Sequence, residues 1–201
     1  MSRVIVSEFL SLDGVMQAPG DPDEDRSGGF EHGGWQLSRF DEVIGEFVMS
    51  GLQSGGGLLL GRRTYDIFAA YWPNQPADDP IARPINAMPK YVASRTLQEP
   101  LPWENCHIVD VPSGVAKLKE QPGGDLRVIG SGDLVKSLVE HDLVDRYDLM
   151  VYPLLLGGGK RLFPDGKMKV PLRLVDSKTT PNGVVILQYE PAPDSQGGET
   201  Q

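Results

Sequence analysis

The feature that most constrains this chain is a repeated alternation. Short apolar runs, each stopped by glycine or a small hydroxyl residue, are followed by segments of a different periodicity. Leu58-Leu59-Leu60 stops at Gly61 and gives way to Arg62-Arg63-Thr64-Tyr65, where a short helix is expected over 64–71. The run 90–94 ends in Ser94-Arg95-Thr96, and 126–129 stops at Gly130-Ser131-Gly132, ahead of Leu134, Val135, Leu138 and Val139 at helical spacing. Apolar runs of this length bounded by glycine suit buried strands, and i, i+3, i+4 spacing marks helices. Strands alternating with helices require a mostly parallel sheet covered on both faces, because a parallel neighbour is reached only by a crossover. The chain closes differently. Runs 172–178 and 184–189 flank Pro181-Asn182-Gly183, a hairpin signal that adds antiparallel strands.

The remaining segments fill in the same plan. Residues 4–12 read as a first, central strand, and 107–111 and 147–156 as further strands. A helix is expected over 38–54, with Ser38 and Asp41 as its capping box and Phe40, Val43, Ile44, Phe47, Val48 and Leu52 on its apolar side. Another is expected over 115–121, whereas five prolines between 73 and 89 exclude a continuous helix there. The stretch 17–34 is too long for an ordinary connection and reads as a lid or insert; its acidic run Asp21 to Asp25 reads as a solvated face. With no internal repeat, the expectation is a three-layer α/β fold in one domain over 1–190, and a polar tail over 191–201.

Charge and composition narrow the function. A net charge of −9 opposes binding to nucleic acid or anionic membrane, so any phosphate site must be a local pocket. One cysteine, Cys106, excludes an internal disulfide framework, and His32, His107 and His141 lack the spacing of metal ligands. The N-terminal segment runs into strand-like sequence without a signal-peptide pattern, so a cytoplasmic location is expected.

Three strand ends share one chemistry. Gly61-Arg62-Arg63-Thr64, Ser94-Arg95-Thr96 and Gly130-Ser131-Gly132-Asp133 each offer backbone N–H groups, hydroxyls or guanidinium groups beyond an apolar strand, where ligands of open α/β sheets sit. A long ligand, anionic at two or more points, would touch all three, and a dinucleotide meets that description. The Walker phosphate motif is absent, and Gly130-Ser131-Gly132 lacks the third glycine of the Rossmann fingerprint and falls late in the chain.

These motifs carry a resemblance. Ser11-Leu12-Asp13-Gly14, Leu60-Gly61-Arg62-Arg63-Thr64, Ser94-Arg95-Thr96-Leu97, Val128-Ile129-Gly130-Ser131-Gly132, and Leu156-Gly157-Gly158-Gly159 with Leu162-Phe163 are similar to the dihydrofolate reductase-like superfamily. Within it the chain most resembles the reductase domain that ends the bifunctional riboflavin-biosynthesis deaminase-reductase. The resemblance spans residues 4–189 and keeps the family's order. It implies an NADPH-dependent reductase of a small heterocyclic or carbonyl metabolite, akin to 5-amino-6-(5-phosphoribosylamino)uracil reductase or dihydrofolate reductase. It implies that Gly61, Arg62, Arg63 and Thr64 meet cofactor phosphates, that Ser94 and Arg95 grip the 2′-phosphate with Thr96 also at the cofactor, and that Gly130, Ser131, Gly132, Asp133 and Leu134 hold the pyrophosphate. It also implies a homodimer, with the strand 149–156 as a candidate interface.

Two positions depart from the riboflavin pattern. Val15 stands where a lysine is usual and Gly130 where a glutamate is usual, so the ribosylaminopyrimidine substrate does not carry over with the fold. The zinc motifs of the fused deaminase are missing as well. Reduction of a carbonyl or imine needs a proton source beside the acceptor. Asp13, at the end of the first strand, is the expected catalytic residue; Gln17 and Trp35 are expected to line the acceptor pocket, and Asp41, Glu42 and Glu46 supply carboxylates on the first helix. The alternative is a module of the same fold that binds a nucleotide without catalysis.

Overall fold

In the computed structural model residues 1–163 and 169–193 are described, and one eight-stranded sheet organises them. β1 (Val4–Ser11), β2 (Gly55–Gly61), β3 (Lys90–Ala93), β4 (Cys106–Val109), β5 (Asp125–Val128), β6 (Arg146–Tyr152), β7 (Leu172–Thr179) and β8 (Val185–Pro191) lie in the order β4-β3-β2-β5-β1-β6-β8-β7. Neighbours from β4 to β6 are parallel, and β8 pairs antiparallel with both β6 and β7. The expected fold class is therefore the observed one. The hairpin forms around the expected turn: Gly183, at φ +80°, donates its N–H to Thr180, and Thr180 donates to Val184.

Period-two alternation sorts the core. Val4, Val6 and Leu10 of β1, with Leu59 of β2 and Leu149 of β6, pack under α4 (Ser113–Glu120) and α5 (Gly132–Glu140). Leu58 and Leu60 face the opposite side, toward Leu52 of α1 (Glu42–Ser54), Tyr65 of α2 (Arg62–Tyr71) and Ile85 of α3 (Ala82–Ala87). Each fully buried side chain of this kind is worth about 1.5–3 kcal/mol. Beneath the sheet's middle, the buried Asp148 accepts from Arg127, Arg146 and Gln188, so its charge is matched inside the fold. Among the described residues no helix is long and apolar enough to cross a membrane.

Three boundaries differ from expectation for physical reasons. α1 begins at Glu42, because Asp41 itself is the cap and its carboxylate accepts the N–H of Ile44 at 3.1 Å. Ser38 falls in a separate 3-10 turn, Leu37–Arg39, and Phe40 is released from the helix. α2 starts at Arg62, two residues early, with Gly61 as its N-cap. β6 stops at Tyr152, since Pro153 has no N–H to continue a ladder. The tail expected over 191–201 falls outside the described residues beyond position 193.

The long stretch after β1 is pinned by its own side chains. Buried Gln17 donates to the carbonyls of Asp25 and Ser27 and accepts the N–H of Lys160, while the Trp35 indole donates to the Gln17 carbonyl. The acidic run is not a uniformly solvated face. Asp25 is buried and grips both Arg63, at 2.6 Å, and Lys160, at 2.7 Å. That carboxylate ties the loop to the start of α2 and to the glycine-rich segment Gly157-Gly158-Gly159.

Candidate functional site

Sheet order makes neighbours of the three strand ends, because β3, β2 and β5 are consecutive. The β2 and β5 ends touch: Gly61 donates its N–H to the Gly130 carbonyl at 3.4 Å. A Cβ on Gly61 would clash with the Ser131 Oγ and come within 3.1 Å of the Ser131 N, and one on Gly130 would come within 2.7 Å of the Thr64 Oγ1. Glycine is needed at both positions for this close approach. The β3 end joins through Arg62, whose guanidinium reaches the Thr96 hydroxyl at 3.4 Å. α2 and α5 thus begin side by side, and neither N-cap, Gly61 or Ser131, supplies a side-chain cap. Two sets of free helix N–H groups face one place.

A cavity of about 1150 Å³ opens there, large enough for a small-molecule ligand of considerable size. Arg63, Thr64, Gly130, Ser131, Gly132 and Asp133 form one wall; Gln17 and the glycine-rich segment with Lys160 form another. Phe9, Phe40, Ile67, Phe68, Tyr71 and Trp72 make a third, which is apolar. Gly61, Arg62, Ser94, Arg95 and Thr96 are outside this lining; they extend from the wall along the adjoining strand ends. Leu134 is buried in the core under α5.

The arginines differ in availability. Arg62 is held by Asp66 at 2.9 Å and Arg63 by Asp25, so both have carboxylate partners within the fold. Arg95 is exposed and makes no hydrogen bond or ion pair among the described residues. The sequence could not distinguish these cases, since the partners lie four residues away in one case and 38 in the other.

Asp13 lies outside the cavity. Its carboxylate accepts from the Ser11 hydroxyl at 2.6 Å and from the N–H groups of Leu156 and Gly157 at 3.1 and 2.9 Å. The Ser11 hydrogen bond leads those influences, and together they hold the carboxyl at about 2. Asp13, the expected catalytic residue, is thus placed as an ionised clamp between the end of β1 and the segment after β6. Trp35 also lies away from the lining, packed edge-on to Tyr152 at 5.3 Å in the core. Asp41 is spent on its cap. Val15, at the position where a lysine was expected by pattern, is fully buried with Phe30 and Ile44.

One cavity residue escaped the sequence reading. Glu8 sits in β1, two residues past the Val6–Val128 pair, and is only 4 % exposed. One carboxylate oxygen accepts the N–H of Gly130. Burial pushes its pKa up to about 8, against the pull of the Gly130 N–H and with a further push from Glu24. The signal was present in the sequence as the one charge in a central strand otherwise made of apolar residues and two serines. Glu24 is itself raised by burial, and it caps the loop by accepting from Gly20.

The parallel sheet with its antiparallel end and the cleft at the strand termini define a dihydrofolate reductase-like domain, a reductase-type fold. The family model described as "RibD C-terminal domain" matches residues 2–186, and the chain belongs to that family. It is 33 % identical over 136 residues to protein YyaP of Bacillus subtilis (strain 168), covering 66 % of this chain and 72 % of YyaP. A crystal structure from Shewanella sp. PV-4, assigned provisionally to riboflavin biosynthesis, aligns with TM-score 0.71 at 20 % identity over 96 % of this chain and 100 % of that one. Dihydrofolate reductase from Enterococcus faecalis, complexed with NADP(H) and RAB-propyl, aligns with TM-score 0.60 at 12 % identity over 95 % and 97 %. At such identities the likeness shows the fold.

Proposed function

We propose that the protein is an NADPH-dependent reductase of a small, uncharged heterocyclic or carbonyl compound. The observation that carries the reading is the pair of uncapped helix N-termini, α2 and α5, brought together at the cleft by the contact of Gly61 with Gly130. The residues fit a dinucleotide. Adjacent helix N–H groups suit a pyrophosphate, Thr64 and Ser131 add hydroxyls, and the unpaired Arg95 suits a further phosphate on the ribose. When bound, NADPH supplies a hydride. The chain's own part is to orient that group and to bind the acceptor out of water.

The acceptor wall sets the preference for an uncharged compound. Phe9, Phe40, Ile67, Phe68, Tyr71 and Trp72 offer apolar and aromatic surface, and the polar groups beside them are largely acids, Glu8, Asp21 and Glu24. Of the cations lining the cavity, Arg63 and Lys160 are engaged by Asp25 and Lys136 by Glu140 within α5, while Arg161 follows the glycine-rich segment, away from the aromatic wall in sequence. A phosphorylated acceptor would meet carboxylates here, whereas a planar neutral ring would stack. Titration of the protein with NADPH and NADH, followed by nucleotide fluorescence, tests the first half: NADPH binds more tightly, and Arg95→Ala removes most of that preference while leaving NADH binding nearly unchanged. Absence of binding by either nucleotide would overturn the reading. NADPH oxidation with menadione and 7,8-dihydrobiopterin, which carry no charge, and with 5-amino-6-(5-phosphoribosylamino)uracil tests the second half; turnover of an uncharged compound supports it. Turnover confined to the phosphorylated compound refutes the acceptor assignment, and tight NADPH binding with no turnover of any acceptor favours the silent module.

A further inference from the structure

Glu8 is a buried carboxyl group whose burial serves no ion pair. It is placed on the central strand, it lines the cavity, and its contact with Gly130 sets it where the nucleotide cradle meets the acceptor wall. A structural carboxylate in such a place would be neutralised by a cation, as Asp148 is by Arg127 and Arg146. Instead, the charged group that acts on Glu8 is Glu24, an acid from the loop across the cavity, and Arg63 and Lys160 belong to Asp25. The elements packed against β1 bring it no counter-charge: β6 presents Leu149 in register, and the β5 end offers the Gly130 N–H. With one oxygen accepting that N–H, the other oxygen of the carboxyl has no partner among the described residues and is the seat for a proton.

We propose that Glu8 is the proton donor of the reduction, giving its carboxyl proton to the nitrogen or oxygen of the acceptor's double bond. The proposal rests on the reductase reading above. The balance is simple. The C=N or C=O π bond breaks as its carbon gains a hydride, with both electrons, from the dihydronicotinamide; the heteroatom gains the proton as the O–H bond of Glu8 breaks. The carboxylate left behind recovers a proton from water once product leaves. Burial supports the assignment, because a carboxyl at about 8 is still protonated at neutral pH.

The oxidised nicotinamide carries a positive charge and the reduced one does not. If Glu8 serves the nicotinamide end, its carboxyl should therefore release more proton when NADP⁺ binds than when NADPH binds. Isothermal titration calorimetry at pH 7, in phosphate and in Tris, reads the protons exchanged from the difference in buffer ionisation heat. The expected result is a larger proton release with NADP⁺ than with NADPH, with a ceiling of about 0.9 proton, the protonated fraction at pH 7 of a group at about 8. In Glu8→Gln, which keeps the side chain's shape, NADPH still binds and the difference between the two nucleotides disappears. Equal proton exchange for the two nucleotides in the unaltered protein, or a difference that survives in Glu8→Gln, overturns the assignment of Glu8 while leaving the reductase reading intact. Binding of neither nucleotide overturns both.

Discussion

The Asp25 bridge makes the most measurable demand on the structure. Asp25→Asn keeps the side chain's size but removes the charge that fastens the loop over 17–34 to Arg63 and Lys160. Burial on its own would raise this carboxyl, yet the hydrogen bonds from Lys160 and Ser27 outweigh it and hold the group at about 2. Against its ordinary value of 3.8, that is at most about 2.4 kcal/mol near neutral pH. The carboxylate is 8 % exposed but Arg63 and Lys160 are 54 % and 47 % exposed, so water screens the pairs and about 1–2 kcal/mol is expected. The sign follows from the direction. A lowered carboxyl stabilises the fold above pH 3.8, and that contribution fades as pH falls toward 2. Urea unfolding at pH 6 should therefore place the variant about 1–2 kcal/mol below the unaltered protein, a loss of roughly 3–6 °C in melting temperature for a chain of this size. At pH 3 the gap should shrink to about half. Equal stabilities at pH 6, or a gap as large at pH 3, would show that the bridge is not a fastening and that the loop is held by Gln17 and Trp35 alone.

Other parts of the molecule give further expectations. Gly61→Ala drives a Cβ against the Ser131 hydroxyl and backbone nitrogen, so it should cost about 1–3 kcal/mol in unfolding experiments and weaken NADPH binding at least tenfold in fluorescence titration; an unchanged affinity would remove the Gly61–Gly130 contact from the cradle. Glu8, raised from its ordinary 4.5 to about 8, stabilises the fold fully only below about pH 4.5, and that stability is lost as pH rises to about 8. Melting curves at pH 5 and pH 8 should thus show Glu8→Gln gaining on the unaltered protein by up to about 3 kcal/mol at the higher pH, and parallel curves would contradict the burial argument. Asp148→Asn strips the counter-charge from Arg127, whose side chain is 7 % exposed, and should cost about 3–5 kcal/mol by urea unfolding.

What the sequence revealed was local or cumulative. Strand ends, the Pro181-Asn182-Gly183 turn and the parallel plan are written in runs of a few residues, where glycine, proline and apolar periodicity act on their own backbone. The three strand-end motifs could be grouped because the α/β architecture puts such ends at one edge. Misplaced boundaries have the same local origin: Asp41 and Ser38 are both good caps, and only the path of the chain before α1 decides between them. The partners that hold Asp13 and Trp35 could not be read from the sequence because they are distant. Leu156 and Gly157, which occupy the Asp13 carboxylate, lie 143 and 144 residues on.

The same distance hid the electrostatics of the cleft. Arg62 and Arg63 look like phosphate ligands when only Gly61 and Thr64 are in view, but Asp66 and Asp25 already engage them. Lys160, beside three glycines, is drawn to the same Asp25. A chain with a net charge of −9 has thus used its nearby cations to fasten its own loop. On the proposed reading, an anionic cofactor would be held by what cannot be neutralised in this way, the N–H groups that start α2 and α5, together with cations that Asp25 does not engage, Arg161 in the lining and Arg95 at the β3 end. Glu8 follows the opposite rule. It is an acid given no cation, next to those N–H groups, and Gly130 is the residue that serves both: its carbonyl accepts from Gly61 in the cradle, and its N–H holds the carboxyl. A substitution that moves the Gly130 backbone should therefore disturb nucleotide affinity and the ionisation of Glu8 together, which no sequence motif taken singly would suggest.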